Sequence, residues 1–263
     1  MKHGAGLHSS LLALFVLLMC LSAFSGMARA EPIRILSSEY KPWTTNHGVH
    51  GGFINRVVKE AFARKGVQVT FDYVSWKKAE VGLNDGTAQV SSFWFSDPNA
   101  DHLYVLSAPL SKHSELIFHL KSKPLPKWET LNDLTTLRFG ITRGYTYTAE
   151  LKALSRSGKL KVVESALDQH NFRRLLKGDL DVFPMEEIAA QLLLADAKLF
   201  SQKERSLLTH DPKPLQVVLG YLRFSKTHPQ TAELVSKFNA GLAEMRRDGT
   251  YDAYYRDMLK GIY

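Results

Sequence analysis

The chain has 263 residues, a formal net charge of +8 and 44% hydrophobic residues, enough apolar content for one large domain or two lobes. A single cysteine, Cys20, excludes a disulfide framework, so stability must come from a packed core. The basic residues are scattered rather than clustered, which excludes a nucleic-acid footprint and leaves the positive charge either to attract acidic ligands or to keep the chain soluble.

Residues 1–30 read as a cleaved secretory leader. Lys2 with His3 and His8 opens a short basic segment, residues 11–21 are unbroken and apolar, and Ala28-Arg29-Ala30 is an A-x-A cleavage signal. The apolar run is shorter than the roughly 20 residues a membrane span needs. Met19 before Cys20 is not the small residue a lipoprotein site requires. Cleavage after Ala30 would leave 233 residues without cysteine, and losing Lys2 and Arg29 lowers the net charge from +8 to +6. A periplasmic location follows from the leader.

Residues 33–36 read as a short buried strand that runs into Tyr40-Lys41-Pro42-Trp43. In residues 53–65, Ile54, Val57, Val58, Ala61 and Phe62 share one helical face, and Gly66 stops the helix. A strand over 67–73, a helix over 76–83 and a strand over 89–92 complete a β-α-β-α-β order, the signature of a largely parallel sheet with helices on its faces. Ligands of such sheets bind beyond the carboxyl ends of the strands. Tyr40, Trp43 and the cluster Phe93-Trp94-Phe95 are expected just past those ends. Asp97 and Pro98 then suit the start of a helical turn, and no Arg or Lys stands between Asp97 and Ser107.

Residues 114–120 form an apolar extended run that carries the chain into a second unit. A short helix over 131–134, strand 137–142, helix 148–156, strand 160–163, helix 168–176, strand 182–183 and helix 186–195 repeat the pattern, from about residue 118 to about 215. Residues 215–224 form another extended run that returns to the first unit. Helices over 231–246 and 250–260 follow. Two α/β lobes joined by two extended crossings make a hinged clamshell that closes on a ligand. The expected boundaries are 31–117 plus 220–263 for the first lobe and 118–219 for the second.

Eight short pieces in order carry a family resemblance: Tyr40-x-Pro42-Trp43; Gly52-Phe53; Trp76 with Leu83-x-x-Gly86; Leu106 before Ser107-x-Pro109; Leu131-x-Asp133-Leu134; Gly140-Ile-Thr-Arg-Gly144; Leu176-x-Gly178-x-x-Asp181-Val182; and Phe238-Asn239-x-x-Leu242 through Asp248-Gly249-Thr250. Across essentially the whole mature chain this resembles the periplasmic solute-binding proteins of bacterial family 3, the type II fold that includes the amino-acid receptors of ABC transporters. The resemblance implies a small polar solute held between two lobes, with an ABC permease or a membrane signalling protein as partner. It implies a monomer, no cofactor and no enzymatic activity. One departure stands out. Family receptors usually carry an Arg seven residues before the Ser of Ser-x-Pro to grip the ligand carboxylate. Here that position is Ala100, beside Asp101, which would repel a carboxylate. The second lobe usually offers an Asp to the ligand ammonium, and the matching position is Glu186.

Ligand contacts are therefore expected from Tyr40, Trp43 and Trp76 as aromatic walls, and from Ser92, Trp94 and Phe95 on the first-lobe edge. Thr142, Arg143, Tyr145 and Thr146 are expected around a helix start whose free N–H groups favour an anion, with Arg143 the available carboxylate partner. Glu186 either holds a ligand cation or is simply an acidic residue at the start of its helix. Metal binding is not expected, since no two histidines stand four apart and Cys20 is lost with the leader. Some relatives on this fold are cyclohexadienyl dehydratases, in which a cleft acid protonates a leaving group. Glu186 fits that role, but those enzymes generally keep the Arg that Ala100 replaces.

Overall fold

The extended runs decide the architecture. In a computed structural model that describes residues 31–263, two ten-residue strands, β5 (Ser111–Leu120) and β10 (Gln216–Ser225), lie antiparallel at the centre of one sheet. On one side of them stand β1 (Ile33–Ser37), β2 (Val69–Tyr73) and β3 (Val90–Phe95), in the order β2-β1-β3-β10-β5 with both β1 pairings parallel. On the other, β8 (Phe183–Glu186) pairs with β5 and touches β6 (Arg138–Thr142) at one bridge; β6 in turn pairs in parallel with β7 (Lys161–Ser165). Two short strands, β4 (Tyr104–Leu106) and β9 (Leu208–His210), pair with β10 and β5. The fold is a two-lobed α/β clamshell. The expected leader lies outside the described residues.

Helices α1 (Gly52–Ala63) and α2 (Trp76–Asn84) join the strands of the first half. The five apolar residues of the α1 stripe are all fully buried, because a face repeating every three to four residues can turn wholly toward a sheet. In the second half run α3 (Ala149–Arg156), α4 (Asp168–Lys177), α5 (Glu187–Ala195) and the short α6 (Gln202–Leu207). Finally α7 (Thr231–Arg247) and α8 (Thr250–Leu259) return to pack on α1. Phe62 meets Phe238 at 5.3 Å, and Gly241 lets α7 lie against the Ala61 carbonyl. No helix among the described residues is long and apolar enough to cross a membrane.

Two expectations are corrected, and one stretch is new. β3 runs on through Phe95, so the aromatic cluster belongs to the strand itself. Glu186 ends a strand of four residues and caps α5 rather than beginning the helix. Residues 201–210, to which the sequence reading assigns no element, form α6 and β9; Ser201 and Glu204 make a reciprocal capping box that the sequence displays as Ser-x-x-Glu. The core does not divide where the lobes do. One apolar cluster includes Ile35, Phe53 and Phe93 from the first half and Phe118, Phe172 and Phe183 from the second, while a smaller one around Trp128, Phe139 and Leu151 lies within the second half.

Candidate functional site

The two halves meet at a cavity of about 40 Å³. By the usual measure of roughly 10–15 Å³ per water, that is room for about three water-sized groups. β3 supplies Phe93, Trp94 and Phe95; the turn after β1 supplies Tyr40, held by the paired backbone of Tyr40 and Thr44; and the first residue of α2 supplies Trp76. From the second half come Gly144, Tyr145 and Thr146 after β6 and Pro184, Met185 and Glu186 of β8, and the crossing strand β5 adds Glu115. The lining thus holds six aromatic rings and two carboxylates, and no basic residue. A wider outer cleft of about 1030 Å³ shares Tyr40, Trp76, Gly144, Tyr145 and Met185 with it.

The rings interlock across the gap. Tyr40 meets Tyr145 edge-on at 5.0 Å and stacks on Phe93 at 6.3 Å, and Trp76 meets Trp94 edge-on at 5.2 Å. These offsets suit ring quadrupoles. Gly144, at φ +82°, brings its backbone against Trp76 in a conformation that a side chain would strain.

Glu115 and Glu186 are direct partners across the β5–β8 ladder. Both are buried. Burial pushes the Glu115 carboxyl up to about 7; the hydrogen bond from Gln216 Nε2, 2.5 Å from Oε2, restrains the shift and the Glu186 charge adds to it. Glu186 Oε2 accepts from the Ala189 N–H at 2.7 Å and from Trp43 Nε1 at 3.1 Å. His113 Nδ1 lies 3.6 Å from Glu186 Oε1, outside hydrogen-bond range, while its Nε2 meets Ser111 Oγ at 2.6 Å. Behind Tyr145, the phenol donates to Asp168 Oδ2 at 2.7 Å and Thr142 Oγ1 donates to Oδ1 at 2.6 Å. Burial raises the Asp168 carboxyl above its usual range, against the pull of those two donors, and raises the Tyr145 phenol as well.

Of the eleven expected contacts, the structure brings Tyr40, Trp76, Trp94, Phe95, Tyr145, Thr146 and Glu186 to the cavity wall. Four stand elsewhere. Trp43 is fully buried behind the wall, orienting Glu186 through its indole N–H. Ser92 is fully buried and donates to Asn55 Oδ1 at 2.6 Å. Thr142 faces the outer cleft with its hydroxyl committed to Asp168. Arg143 also faces the outer cleft, its side chain 70% exposed and its Nε donating to Glu164 Oε1 at 2.6 Å, away from the inner cavity wall. The expected anion site is absent for a local reason. Residues 142–146 do not open a helix; α3 starts at Ala149, and its first turn is capped by the Thr148 hydroxyl. Asp101 does not stand unmatched as expected, because it pairs with Arg223 at 2.9 Å. That guanidinium lies between the rings of Trp94 and Tyr104, at 4.7 and 4.9 Å from their centroids, behind the wall.

Sequence reasoning missed Phe93 as a lining residue, and also Glu115, Gly144, Pro184, Met185 and the supporting Asp168. For Glu115 a signal existed. Ser111, His113 and Glu115 stand two apart on one strand, which sets three polar side chains on one face, although Lys112 and Ser114 between them are polar as well.

A two-lobed α/β fold with an aromatic-walled cavity between its halves is the architecture of a small-molecule receptor. The chain belongs to the bacterial extracellular solute-binding proteins, family 3, whose model matches residues 33–260. No curated protein matches it significantly. Among solved structures, a histidine kinase sensor domain with similarity to periplasmic binding proteins superposes with a TM-score of 0.73 at 19% identity, covering 88% of this chain and 97% of that one. An amino acid ABC transporter substrate-binding protein from Streptococcus pneumoniae, bound to L-arginine, gives 0.66 at 17% identity, covering 86% and 94%. An ancestral amino-acid-binding protein described as a precursor of cyclohexadienyl dehydratase gives 0.65 at 20% identity, covering 87% and 95%.

Proposed function

We propose that this protein is a periplasmic receptor that captures a small polar organic solute between lobes formed by residues 31–117 with 220–263 and by residues 118–219, after removal of residues 1–30. The observation that carries the reading is the cavity, whose walls come from both halves and whose polar groups, Glu115 and Glu186, converge on one small space. Family membership supports it. The protein acts as a monomer without cofactor or catalysis, and delivers the solute to an ABC permease. Presentation to a membrane signalling protein is the second reading, favoured by the likeness to a kinase sensor domain. The test is a thermal-shift screen of protein stripped of ligand by unfolding and refolding. A specific solute should stabilise the fold by RT ln(1 + [L]/Kd), about 2.7 kcal/mol at a hundredfold excess. Turnover of prephenate or arogenate by the purified protein would replace the receptor reading with the dehydratase one. Co-purification with a permease against a sensor kinase separates the two partner readings.

A further inference from the structure

We propose that the solute is an organic cation without a carboxylate, its ammonium or guanidinium head held by Glu115 and Glu186 inside a cage of Tyr40, Phe93, Phe95 and Tyr145. The proposal rests on the receptor reading above and narrows its ligand class.

Charge is the first argument. The cavity wall carries two carboxylates and no Lys, Arg or His. An amino acid entering it would present its own carboxylate to Glu115 and Glu186 with no counter-charge. The position that family receptors use for a carboxylate clamp is Ala100, and Arg143 and Arg223 are both paired with carboxylates of the chain. Arg143 is turned outward to Glu164, and Arg223 is shielded by Trp94 and neutralised by Asp101.

The second argument concerns the places where an anion is otherwise held. A helix N-terminus offers free N–H groups to a ligand carboxylate. At α5, the helix that starts on the cavity wall, the carboxylate of Glu186 already takes the Ala189 N–H. The chain has filled its own anion site with an acid, whose other oxygen, Oε1, accepts no hydrogen bond among the described residues and has His113 Nδ1 3.6 Å away. Glu115 is arranged similarly. Gln216 donates to Oε2, and among the described residues no donor reaches Oε1. Each buried carboxylate therefore keeps an oxygen without a hydrogen bond among the described residues, that of Glu186 with His113 Nδ1 nearby at 3.6 Å.

The third argument is the walls. Aromatic faces attract cations through their quadrupoles, and desolvation strengthens that attraction. Tyr40 and Tyr145 close the cage from opposite halves of the molecule. Room for about three water-sized groups in the 40 Å³ cavity suits a compact cationic head. A longer ligand can extend its tail into the outer cleft, which opens past Tyr40, Trp76 and Tyr145.

The experiment is calorimetric titration of the refolded, ligand-free protein with two matched pairs: agmatine against arginine and histamine against histidine. Each pair differs only by the carboxylate. The carboxylate-free member is expected to bind at least roughly tenfold more tightly, and Glu115→Gln is expected to weaken it by about the same factor, as loss of a charge-assisted hydrogen bond does. Glu186→Gln is the second variant, with a melting curve to confirm folding because Glu186 also caps α5. Equal or tighter binding of arginine or histidine overturns the proposal, as does unchanged affinity in both variants. If neutral or anionic solutes bind while all four probes fail, the cation class falls and the receptor stands. If no solute of any charge binds, the receptor reading falls with it.

Discussion

Glu115→Gln should make the protein more stable while it weakens cation binding. The carboxyl is 5% exposed and titrates near 7 in the folded chain, against 4.5 for an unperturbed side chain. Between those values the folded chain keeps a proton on Glu115 that the unfolded chain has released. Stability therefore falls as pH rises through the window, the opposite of the usual acid-denaturation slope. At about 1.4 kcal/mol per pH unit of difference, the ionised side chain costs the fold about 3 kcal/mol above the upper end of the window. A glutamine removes that cost and retains the acceptor for Gln216, and its amide can donate to the neighbouring Glu186. For a domain of this size about 1 kcal/mol corresponds to roughly 2–4 °C, so the variant should melt about 6–12 °C above the wild type near pH 8. Near pH 4.5 both versions carry a neutral side chain for most of the time, and the gap should almost close. Melting curves at both pH values, without ligand, make the measurement. A gain of the same size at both, or none near pH 8, would show that Glu115 does not carry a displaced proton.

Other perturbations test the frame around the site. Gly241→Ala would place a methyl 2.0 Å from the Ala61 carbonyl oxygen; forcing α1 and α7 apart should cost about 3 kcal/mol in urea unfolding and leave the ligand Kd of the folded fraction unchanged. Arg223→Met keeps apolar bulk between Trp94 and Tyr104 but strands Asp101, which is partly exposed and can rehydrate, so a loss of about 2 kcal/mol is expected, together with weaker ligand binding as Trp94 loses its backing. Tyr145→Phe removes one of two donors to the buried Asp168 carboxyl and should cost about 1–2 kcal/mol by chemical denaturation, with the ring contact to Tyr40 retained. Cation affinity should rise from pH 6 to pH 8 as Glu115 ionises, a trend read by calorimetry and absent in Glu115→Gln. The groups facing Glu115 through that range are Glu186 on β8, Gln216 on β10 and the phenols of Tyr40 and Tyr147.

The elements whose signals are local were legible in the sequence. The α1 stripe, the stop at Gly66 and the β-α-β order are all written within a dozen residues of chain, and ordered short motifs were enough for the fold. The site was legible in part, because its aromatics lie in or beside predictable strands. What failed depended on pairing across the chain. Whether Arg143 reaches inward is decided by β6 lying beside β7, which brings Glu164 within reach. Ser92 looked like a binding-edge hydroxyl until Asn55, projecting from α1, claimed it. Glu115 became a site residue only through the β5–β8 register that sets it against Glu186. A local window holds no information about any of these three partners.

The same register explains how ligand and closure are tied together. Glu115 and Glu186 are neighbours on the β5–β8 ladder and line one small, largely apolar space that a closing cleft would shut off from water. Taking two carboxylates out of water costs several kcal/mol per ion unless a counter-charge is present, and Glu115 meets that cost in the empty protein by holding a proton. The apolar contacts across the gap, Tyr40 on Tyr145 and the continuous core cluster, pull the other way and favour closure. The two tendencies oppose each other, which is the condition for a clamshell poised between states. A cation in the cavity removes the electrostatic penalty and leaves the apolar gain, so it favours the closed form by the difference it makes there and nowhere else. A ligand with a carboxylate would restore the penalty. On the cation proposal, selectivity for charge and control of closure would reside in the same two side chains, and Glu115→Gln should loosen both at once: the empty protein should shift toward the compact form in solution scattering, and added cation should compact it less than it compacts the wild type.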